Sequence, residues 1–238
     1  ASKINGWGEW ATQKLGDLVD WSSAVMATVG SLPEQCSSKD LQHSLIRYCL
    51  NQNTWSYNRM AGRLYAATLH KDLYEKDAIP SIAEVQGKLV ELGYMTPVAS
   101  HYTDEELAVF ESTIDHKRDF DYAHFQLHHI RYKYALRNHL TGFEIESPQF
   151  VFMRMAMALG TKRPKESRAK DVVYWYQFFS KNKINAPTPN YTNLGTKLNG
   201  YASCCLYAVN DTAASLAVGD HIAYTMTVMS AGIGGHIM

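Results

Sequence analysis

Two adjacent cysteines, Cys204 and Cys205, stand in the apolar run "YASCCLYAV". A thiol can be a nucleophile, a metal ligand or a redox group, and the run has the composition of a β-strand. Successive side chains of a strand point to opposite faces, so the two thiols cannot share one site without a distorted backbone. The alternation predicts that Ser203, Cys205 and Tyr207 face one way and that Cys204 and Leu206 face the other. The residues alone leave two interpretations open: one thiol is functional, or both only pack.

Three further side chains, Asp121, His124 and His128, have the spacing of one helix face and could bind a metal ion. His-x-x-x-His on a helix is a workable pair of metal ligands. However, no cysteine or glutamate completes the set, and His129 lies off the face. Surface or interface histidines are the favoured interpretation, and no metal site is predicted.

The glycines of "AGIGG" (231–235) invite comparison with phosphate-binding loops. Such loops follow a strand and open a helix, whereas this stretch follows a predicted helix. We therefore expect a tight turn whose glycines allow close backbone approach.

The elements that position these residues are helices up to about residue 182. Apolar residues recur there at helical spacing, and Thr103 followed by Glu106 forms a capping box. The pattern predicts helices at 37–50, 56–74, 121–138, 149–159 (buried on nearly all sides) and 169–184, with a short β-excursion within 139–150.

The composition changes from Asn185 onward. Pro187 and Pro189 bracket Thr188 and exclude a regular central strand there. A strand at 203–209, a helix to about Met229 and a new strand from His236 then predict a βαβ unit. Such strands need neighbours and cover, so either the unit docks as an edge or the rest of a sheet or barrel is missing.

The bulk composition excludes several classes of protein. Lys+Arg and Asp+Glu both number 23, which argues against binding to nucleic acid or to an anionic membrane. No apolar run reaches the roughly 18–20 residues that span a bilayer, and the first residues do not form a signal peptide. The four cysteines show no C-x-x-C pattern, which predicts free thiols in the cytoplasm.

Eight motifs, in order along the chain, carry a resemblance to a known family. They are "YNRMAGRLYA" (57–66), "YTDEEL" (102–107), "IDHKRDFDY" (114–122), "TGFEIESPQF" (141–150), "FMRMAMAL" (152–159), "PTP" (187–189), "YASCCLYAVNDTAASL" (201–216) and "SAGIGGHI" (230–237). Together they resemble the catalytic large subunit of ribonucleotide reductase, of the class I type found in bacteria and phages. The resemblance covers nearly the whole chain from about residue 37.

The resemblance implies a mostly α-helical N-terminal domain followed by the first βαβ portion of an α/β barrel, which is incomplete here. Three parts follow from it: a divergent segment at 1–36, the helical domain at 37–184 and the start of the catalytic barrel at 185–238. In the family the Ser-Cys strand is the first barrel strand. Cys204 would point into the lumen, and Cys205 would take a non-reactive outward position.

The implied activity is radical-based reduction of ribonucleotides to deoxyribonucleotides, with Cys204 as one member of the redox thiol pair. Thr188, Ser203 and Gly232 match positions that bind the substrate. Asp211, expected to cap the next helix, matches a residue of the dNTP specificity site, and that helix would contribute to a homodimer contact.

The chain departs from the family pattern in informative ways. It lacks the Asn-x-Cys-x-Glu strand of the radical cysteine, and residues 1–36 lack the Val-x-Lys-Arg-Asp-Gly opening of an ATP-cone. We therefore expect an N-terminal piece that is inactive alone and binds no cofactor directly. Its expected partners are the C-terminal remainder of the catalytic subunit, a small radical-generating di-metal subunit, the ribonucleotide substrate and dNTP/ATP effectors with Mg.

Two other functions remain as alternatives. One is a non-catalytic helical module that binds nucleotides or regulates, and the other is a metal-binding protein built on His124 and His128. Cys204→Ser separates the first alternative from the reductase hypothesis, because a pure binding role would survive it.

Overall fold

The computed structural model of the chain describes residues 2–33, 35–74, 78–95, 97–229 and 231–238. Within them the chain forms eleven α-helices and one parallel two-stranded sheet. The helices are α1 (Ser2–Thr12), α2 (Trp21–Gly30), α3 (Ser38–Asn51), α4 (Trp55–Tyr74), α5 (Ile82–Glu91), α6 (Asp104–Thr113), α7 (His124–His129), α8 (Pro148–Gly160), α9 (Lys165–Ser180), α10 (Thr188–Asn193) and α11 (Ala213–Val228). The strands are β1 (Cys204–Val209) and β2 (Gly232–Ile237).

Local sequence fixes where several helices begin. In a capping box, the N-cap hydroxyl accepts from the third backbone N–H while the third side chain accepts from the N-cap N–H. Helices α3, α5 and α6 begin in this way, at Ser37 with Asp40, Ser81 with Glu84, and Thr103 with Glu106. The predicted Thr103 box is therefore confirmed. The helices predicted at 37–50 and 56–74 are confirmed as α3 and α4.

Helix α8 is the centre of the helical part. Every residue from 146 to 157 is buried, as expected of a helix that is apolar on nearly all sides. The prediction of a buried helix over 149–159 is confirmed. Helix α9 packs along α8, and the glycine that ends α8, Gly160, lies against Val172 and Tyr102.

The long helix predicted over 121–138 is wrong. A 3-10 helix, His116–Asp121, ends where the predicted helix begins, and only α7 and a following π-helical turn, Ile130–Tyr134, are helical after it. The chain enters α7 from an extended residue, Tyr122. The Tyr122 carbonyl lies so close to Gly62 of α4 that a Cβ there would collide with it. Packing between elements thus overrides the helical period at this point.

The predicted β-excursion within 139–150 is present as a narrow turn. Arg137 and Glu144 form an isolated antiparallel bridge. The N–H of Ile145 donates to the carbonyl of Leu136 at 2.9 Å, and Gly142 supplies the positive φ of 73° that the turn requires.

The last 35 residues form the βαβ unit. Strands β1 and β2 are parallel, with Cys204 opposite Gly232 and Val209 opposite Ile237. Helix α11 packs on the sheet through Gly219, where a Cβ would lie 3.1 Å from the Tyr207 ring.

The second strand begins earlier than predicted. It starts at Gly232 and not at His236, so most of "AGIGG" is strand and the predicted tight turn is wrong. The glycines lie beneath larger side chains of β1: a Cβ on Gly234 would come within 2.7 Å of the Leu206 side chain, and one on Gly235 within 2.7 Å of the Tyr207 ring. The close backbone approach expected of these glycines is present, in a strand.

One hydrophobic core links α1 to α10. Ile4 of α1, Val25 of α2 and Tyr191 of α10 all belong to it. Residues of the 1–36 segment therefore pack on the same core as the 37–184 segment, and the three-part domain division stays a prediction. The mostly helical character is confirmed, whereas completion of the sheet into a barrel stays a prediction. No helix in the described ranges has both the length and the apolar character needed to span a bilayer.

Candidate active site

Strand β1 places the two thiols in different environments. Cys204 is exposed on the open face of the sheet, whereas Cys205 is half-buried under α11 with its Sγ 3.6 Å from the Sδ of Met226. The alternation continues along the strand, since Leu206 is 87% exposed and Val209 is buried. Strand geometry therefore separates the neighbouring thiols as the sequence predicts: one is accessible and the other packs.

Gly232 lies directly beside the Cys204 thiol, and the backbone of Ser203 holds it there. Gly232 is the register partner of Cys204, and its N–H donates to the Ser203 carbonyl at 2.8 Å. A Cβ at Gly232 would lie 3.5 Å from the Cys204 Sγ. The missing side chain leaves free space next to the sulfur, so a small group could approach it there.

Thr188 lines a neighbouring cleft of about 440 Å³, which we call the Thr188 cleft. Its walls come from α10, from the segment 198–202 and from the C-terminal end of α11. Asn193 bridges two walls, because its Nδ2 donates to the Gly200 carbonyl at 2.5 Å. Ala202 at the cleft edge directly precedes Ser203, so the chain runs from the cleft into the strand that bears Cys204.

Asp211 does not cap α11, contrary to the prediction. Thr212 does so, because its Oγ1 accepts from the Ser215 N–H at 3.2 Å. The Asp211 side chain is exposed, and its backbone N–H donates to the Met238 carbonyl at 3.0 Å. A strand rises about 3.3 Å per residue, so β1 spans roughly 16 Å from Cys204 to Val209, and Asp211 follows beyond its far end.

The candidate metal ligands lie in an aromatic stack. The His124 and His128 rings stack at 5.6 Å, with Tyr65 4.7 Å from His124 and Tyr132 4.6 Å from His128. Burial, and then the charge of His128, lower the pKa of His124 to about 4. Among the residues that the structure describes, no three His, Cys, Asp or Glu side chains are grouped to hold a metal ion.

A second cleft, of about 430 Å³, was not predicted from the sequence. We call it the lysine cleft, because Lys3 of α1, Lys39 of α3 and Lys71 of α4 line it, together with Trp7 and Ser38. Lys3 Nζ lies 5.4 Å from the centroid of the Trp7 ring. The carboxylate of Asp72 also lines the cleft and pairs with Arg131 at 3.0 Å. With three lysines against one carboxylate the lining keeps a positive balance, which suits an anionic ligand. The three lysines are far apart in sequence, so no local cluster indicates the site.

Comparison with known proteins agrees with the motifs. The family described as "Ribonucleotide reductase, all-alpha domain" matches residues 120–199. That stretch runs from the turn before α7 to the segment after α10, and so includes α8, α9 and Thr188.

Curated relatives extend the similarity over most of the chain. The "Ribonucleoside-diphosphate reductase 1 subunit alpha" of Escherichia coli K12 is 27% identical over 98% of this chain and 31% of its own length. The subunit alpha of Buchnera aphidicola subsp. Schizaphis graminum is 30% identical over 78% of this chain and 24% of its own length. The subunit alpha of Enterobacteria phage T4 is 28% identical over 87% of this chain and 28% of its own length.

The fold and the candidate site thus define the class of protein: a mostly helical domain joined to a βαβ unit that carries an exposed thiol. The resemblance to the large, alpha subunits of ribonucleotide reductases is confirmed over most of the chain. The chain spans about a quarter to a third of the length of these relatives.

Proposed function

We propose that the chain contributes the helical domain and the first barrel strands of a ribonucleotide reductase catalytic subunit. The exposed Cys204 thiol, with the side-chain-free Gly232 beside it and the Thr188 cleft adjoining, is the observation that carries the proposal. The similarity to reductase alpha subunits over most of the chain supports it.

The reaction assigns a specific task to Cys204. A cysteine thiyl radical from a later barrel strand abstracts the 3′-hydrogen of the ribonucleotide, and that hydrogen is returned at the end of the cycle. The 2′-hydroxyl leaves as water, and a hydrogen takes its place at C2′. The two electrons and two protons come from a pair of thiols, Cys204 and a second cysteine of the barrel, which become a disulfide. Thiol–disulfide exchange requires an accessible thiol. The Cys204 thiol is exposed, whereas the Cys205 thiol is half-buried.

Substrate binding falls to the residues around the thiol. Thr188 supplies a hydroxyl to the cleft wall, and the segment that ends at Ser203 supplies backbone groups and a second hydroxyl. Gly232 lets the ribose approach the sulfur. These donors suit the phosphates and hydroxyls of a ribonucleotide.

The βαβ unit requires further polypeptide. Among its described residues only Val209 and Gly219 are buried. A two-stranded parallel sheet lacks the neighbours and cover that such sheets need. We propose that the remaining barrel strands pair with the free sheet edges. A second copy of the chain would cover the apolar face of α11, where Tyr224 is 73% exposed and Val228 is 68% exposed. A small di-metal subunit would supply the radical.

Nucleotide effectors have two candidate positions. Asp211, exposed before α11, is the proposed contact for the dNTP that sets substrate specificity. The lysine cleft suits the phosphates of ATP or a dNTP with Mg²⁺, with Trp7 available to the base. This assigns a role to α1, although the sequence lacks the opening of a complete ATP-cone.

Reconstitution tests the catalytic proposal. The chain is combined with a polypeptide that carries the rest of the barrel, the radical-generating subunit and a dithiol reductant, and deoxyribonucleotide formation is measured. Cys204→Ser is expected to abolish turnover, whereas Cys205→Ser, the matched control one residue away, retains most of it. Equal activity of the two variants would remove Cys204 from the reaction.

A second candidate function, a non-catalytic nucleotide-binding module, is favoured by the lysine cleft alone. Its test is binding of ATP or dATP with Mg²⁺ to the isolated chain by calorimetry. Lys39→Ala and Lys71→Ala should each weaken binding, and Lys88→Ala, an exposed lysine of α5, serves as the control. Nucleotide binding together with a Cys204→Ser variant that leaves every activity intact would favour this function over the reductase.

A further inference from the structure

A fully buried ion pair contacts the backbone at the end of α10, the helix that forms one wall of the Thr188 cleft. Arg154 of α8 and Glu146 are each 1% exposed. The guanidinium donates from Nε to Oε1 of Glu146 at 2.6 Å and from Nη2 to Oε2 at 3.0 Å. Glu146 is itself fixed, because its Oε2 also accepts from the Leu136 N–H at 3.0 Å.

The same guanidinium holds the C-terminal end of α10. Nη1 donates to the Leu194 carbonyl at 2.6 Å, and Nη2 donates to the Tyr191 carbonyl at 2.9 Å. The last carbonyls of a helix have no partner within the helix, and a cation is favourable at that end. Gly195 follows with φ +80°, and a Cβ there would lie 3.0 Å from the Arg154 Cγ, so the chain turns directly over the arginine.

Helix α10 is short, and its own hydrogen bonds cannot define its position. It has six residues, and short helices are marginal without tertiary contacts. Thr188, Thr192 and Asn193 of this helix line the Thr188 cleft. Whatever fixes α10 therefore fixes that wall of the cleft.

We propose that Arg154 is a positioning residue for the substrate wall formed by α10, with Glu146 as the counter-ion that allows the guanidinium to be buried. A lysine cannot make the same contacts, since only the planar guanidinium reaches the Glu146 carboxylate and the carbonyls of Tyr191 and Leu194 together. Naming a ribonucleotide as the cleft's ligand rests on the proposed function, whereas the positioning of α10 does not.

Hydrogen exchange of the 238-residue chain tests the positioning directly. The double variant Glu146→Gln/Arg154→Met removes both charges, so no buried charge is left unpaired. Amides of residues 190–197 are expected to exchange at least about 10-fold faster, while amides of α4 keep their wild-type rates. Arg154→Lys, which keeps the charge, should give a smaller increase at the same amides, and it provides the same comparison if the double variant does not fold.

A matched control exists in the same helical part. Arg168 and Glu106 form a second Arg–Glu pair, with two nitrogens of the arginine on the two carboxylate oxygens, between α9 and α6. The double variant Glu106→Gln/Arg168→Met should leave the exchange of residues 190–197 unchanged. The proposal is overturned if the Glu146/Arg154 variant leaves that exchange unchanged, or raises it by the same factor in every helix.

Kinetics of the assembled reductase test the functional consequence. In the Arg154→Lys enzyme, we expect KM for a ribonucleoside diphosphate to rise about 10-fold with a smaller change in kcat, because the wall binds the ground state. A fall in kcat at unchanged KM would overturn the assignment to positioning. If wild-type assembly shows no reduction, the proposed function fails, while the exchange result still decides the role of Arg154 at α10.

Discussion

The helical part from α1 to α10 and the βαβ unit have opposite relations between apolar sequence and burial. In the helical part, α8 is apolar and every side chain from Phe150 to Met157 is buried. In the βαβ unit, α11 is also apolar, yet Gly219 is its one buried position. The first region buries its apolar side chains against one another. The second exposes an apolar surface of the kind that further polypeptide normally covers, which is the reason for the proposed contacts with the rest of the barrel and with a second copy.

The largest expected difference between the two regions concerns thiol reactivity. Cys49 is fully buried between α3 and α4, and burial raises its pKa to about 12. Because the thiolate is the reactive form and reaching it requires opening of the core, Cys49 should react at least about 10³-fold more slowly than Cys204 with iodoacetamide. Rates are measured site by site by peptide mass spectrometry. Comparable rates at Cys49 and Cys204 would show that the helical core is not closed.

Truncation of a leucine sharpens the comparison in free energy. Leu45 of α3 is 0% exposed and Leu206 of β1 is 87% exposed. Leu45→Ala should lower the free energy of unfolding by about 2–5 kcal/mol through lost burial and the cavity left behind. Leu206→Ala should change it by no more than about 0.5 kcal/mol. Urea unfolding followed by circular dichroism measures both. A large loss for Leu206→Ala would mean that β1 is covered in solution, for instance by a second copy.

Two helical glycines probe how tightly the helical part is packed. A Cβ on Gly62 would collide with the Tyr122 carbonyl, whereas one on Gly87 of α5 meets nothing within 4 Å. Gly62→Ala should therefore destabilise the protein by about 1–3 kcal/mol. Gly87→Ala should stabilise it by about 0.5–1 kcal/mol through helix propensity. Thermal melts of the two variants check the opposite signs; the same sign for both would contradict the close approach at Gly62.

The smallest effect is a pH dependence from His124. Its folded pKa of about 4 lies below the ordinary value of 6.5, because burial disfavours the charged ring. Between these two pH values the unfolded chain binds the proton and the folded chain does not, so stability is complete above pH 6.5 and decreases as the pH falls toward 4. We expect the free energy of unfolding to fall by about 1–2 kcal/mol between pH 7 and pH 5, and we expect no such fall in His124→Gln. Urea midpoints at both pH values measure it, with His221→Gln of α11 as the matched control. An unchanged slope in His124→Gln would contradict the prediction.

Local rules predicted the parts of the fold that local sequence determines. The capping box at Thr103, the apolar period of α8 and the alternation around Cys204 were sufficient for those elements. The helix predicted over 121–138 failed, because α4 approaches the backbone at Tyr122 and no sequence period encodes that approach. The start of β2 was missed because glycines weaken a strand pattern, although here they make room for Leu206 and Tyr207.

The candidate sites divide in the same way. Cys204, Ser203 and Gly232 come together because a parallel register joins two motifs that the sequence displays. The lysine cleft could not be predicted, since its cations come from three helices separated by tens of residues and the net charge is zero. Arg154 also gave no signal, because an arginine in a buried apolar helix is recognised only once its partners Glu146 and Leu194 are seen.

The exposure of the two adjacent thiols of β1 reveals the register in which β1 pairs with β2. Because Cys204 and Cys205 occupy opposite faces, a slip of one residue against β2 would exchange the exposed sulfur with the packed one without any change in sequence. An insertion or deletion of one residue in the segment that leads into the strand would shift the register of β1 in the same way, unless the backbone of that segment absorbs the change. That segment should therefore tolerate changes in composition far better than changes in length.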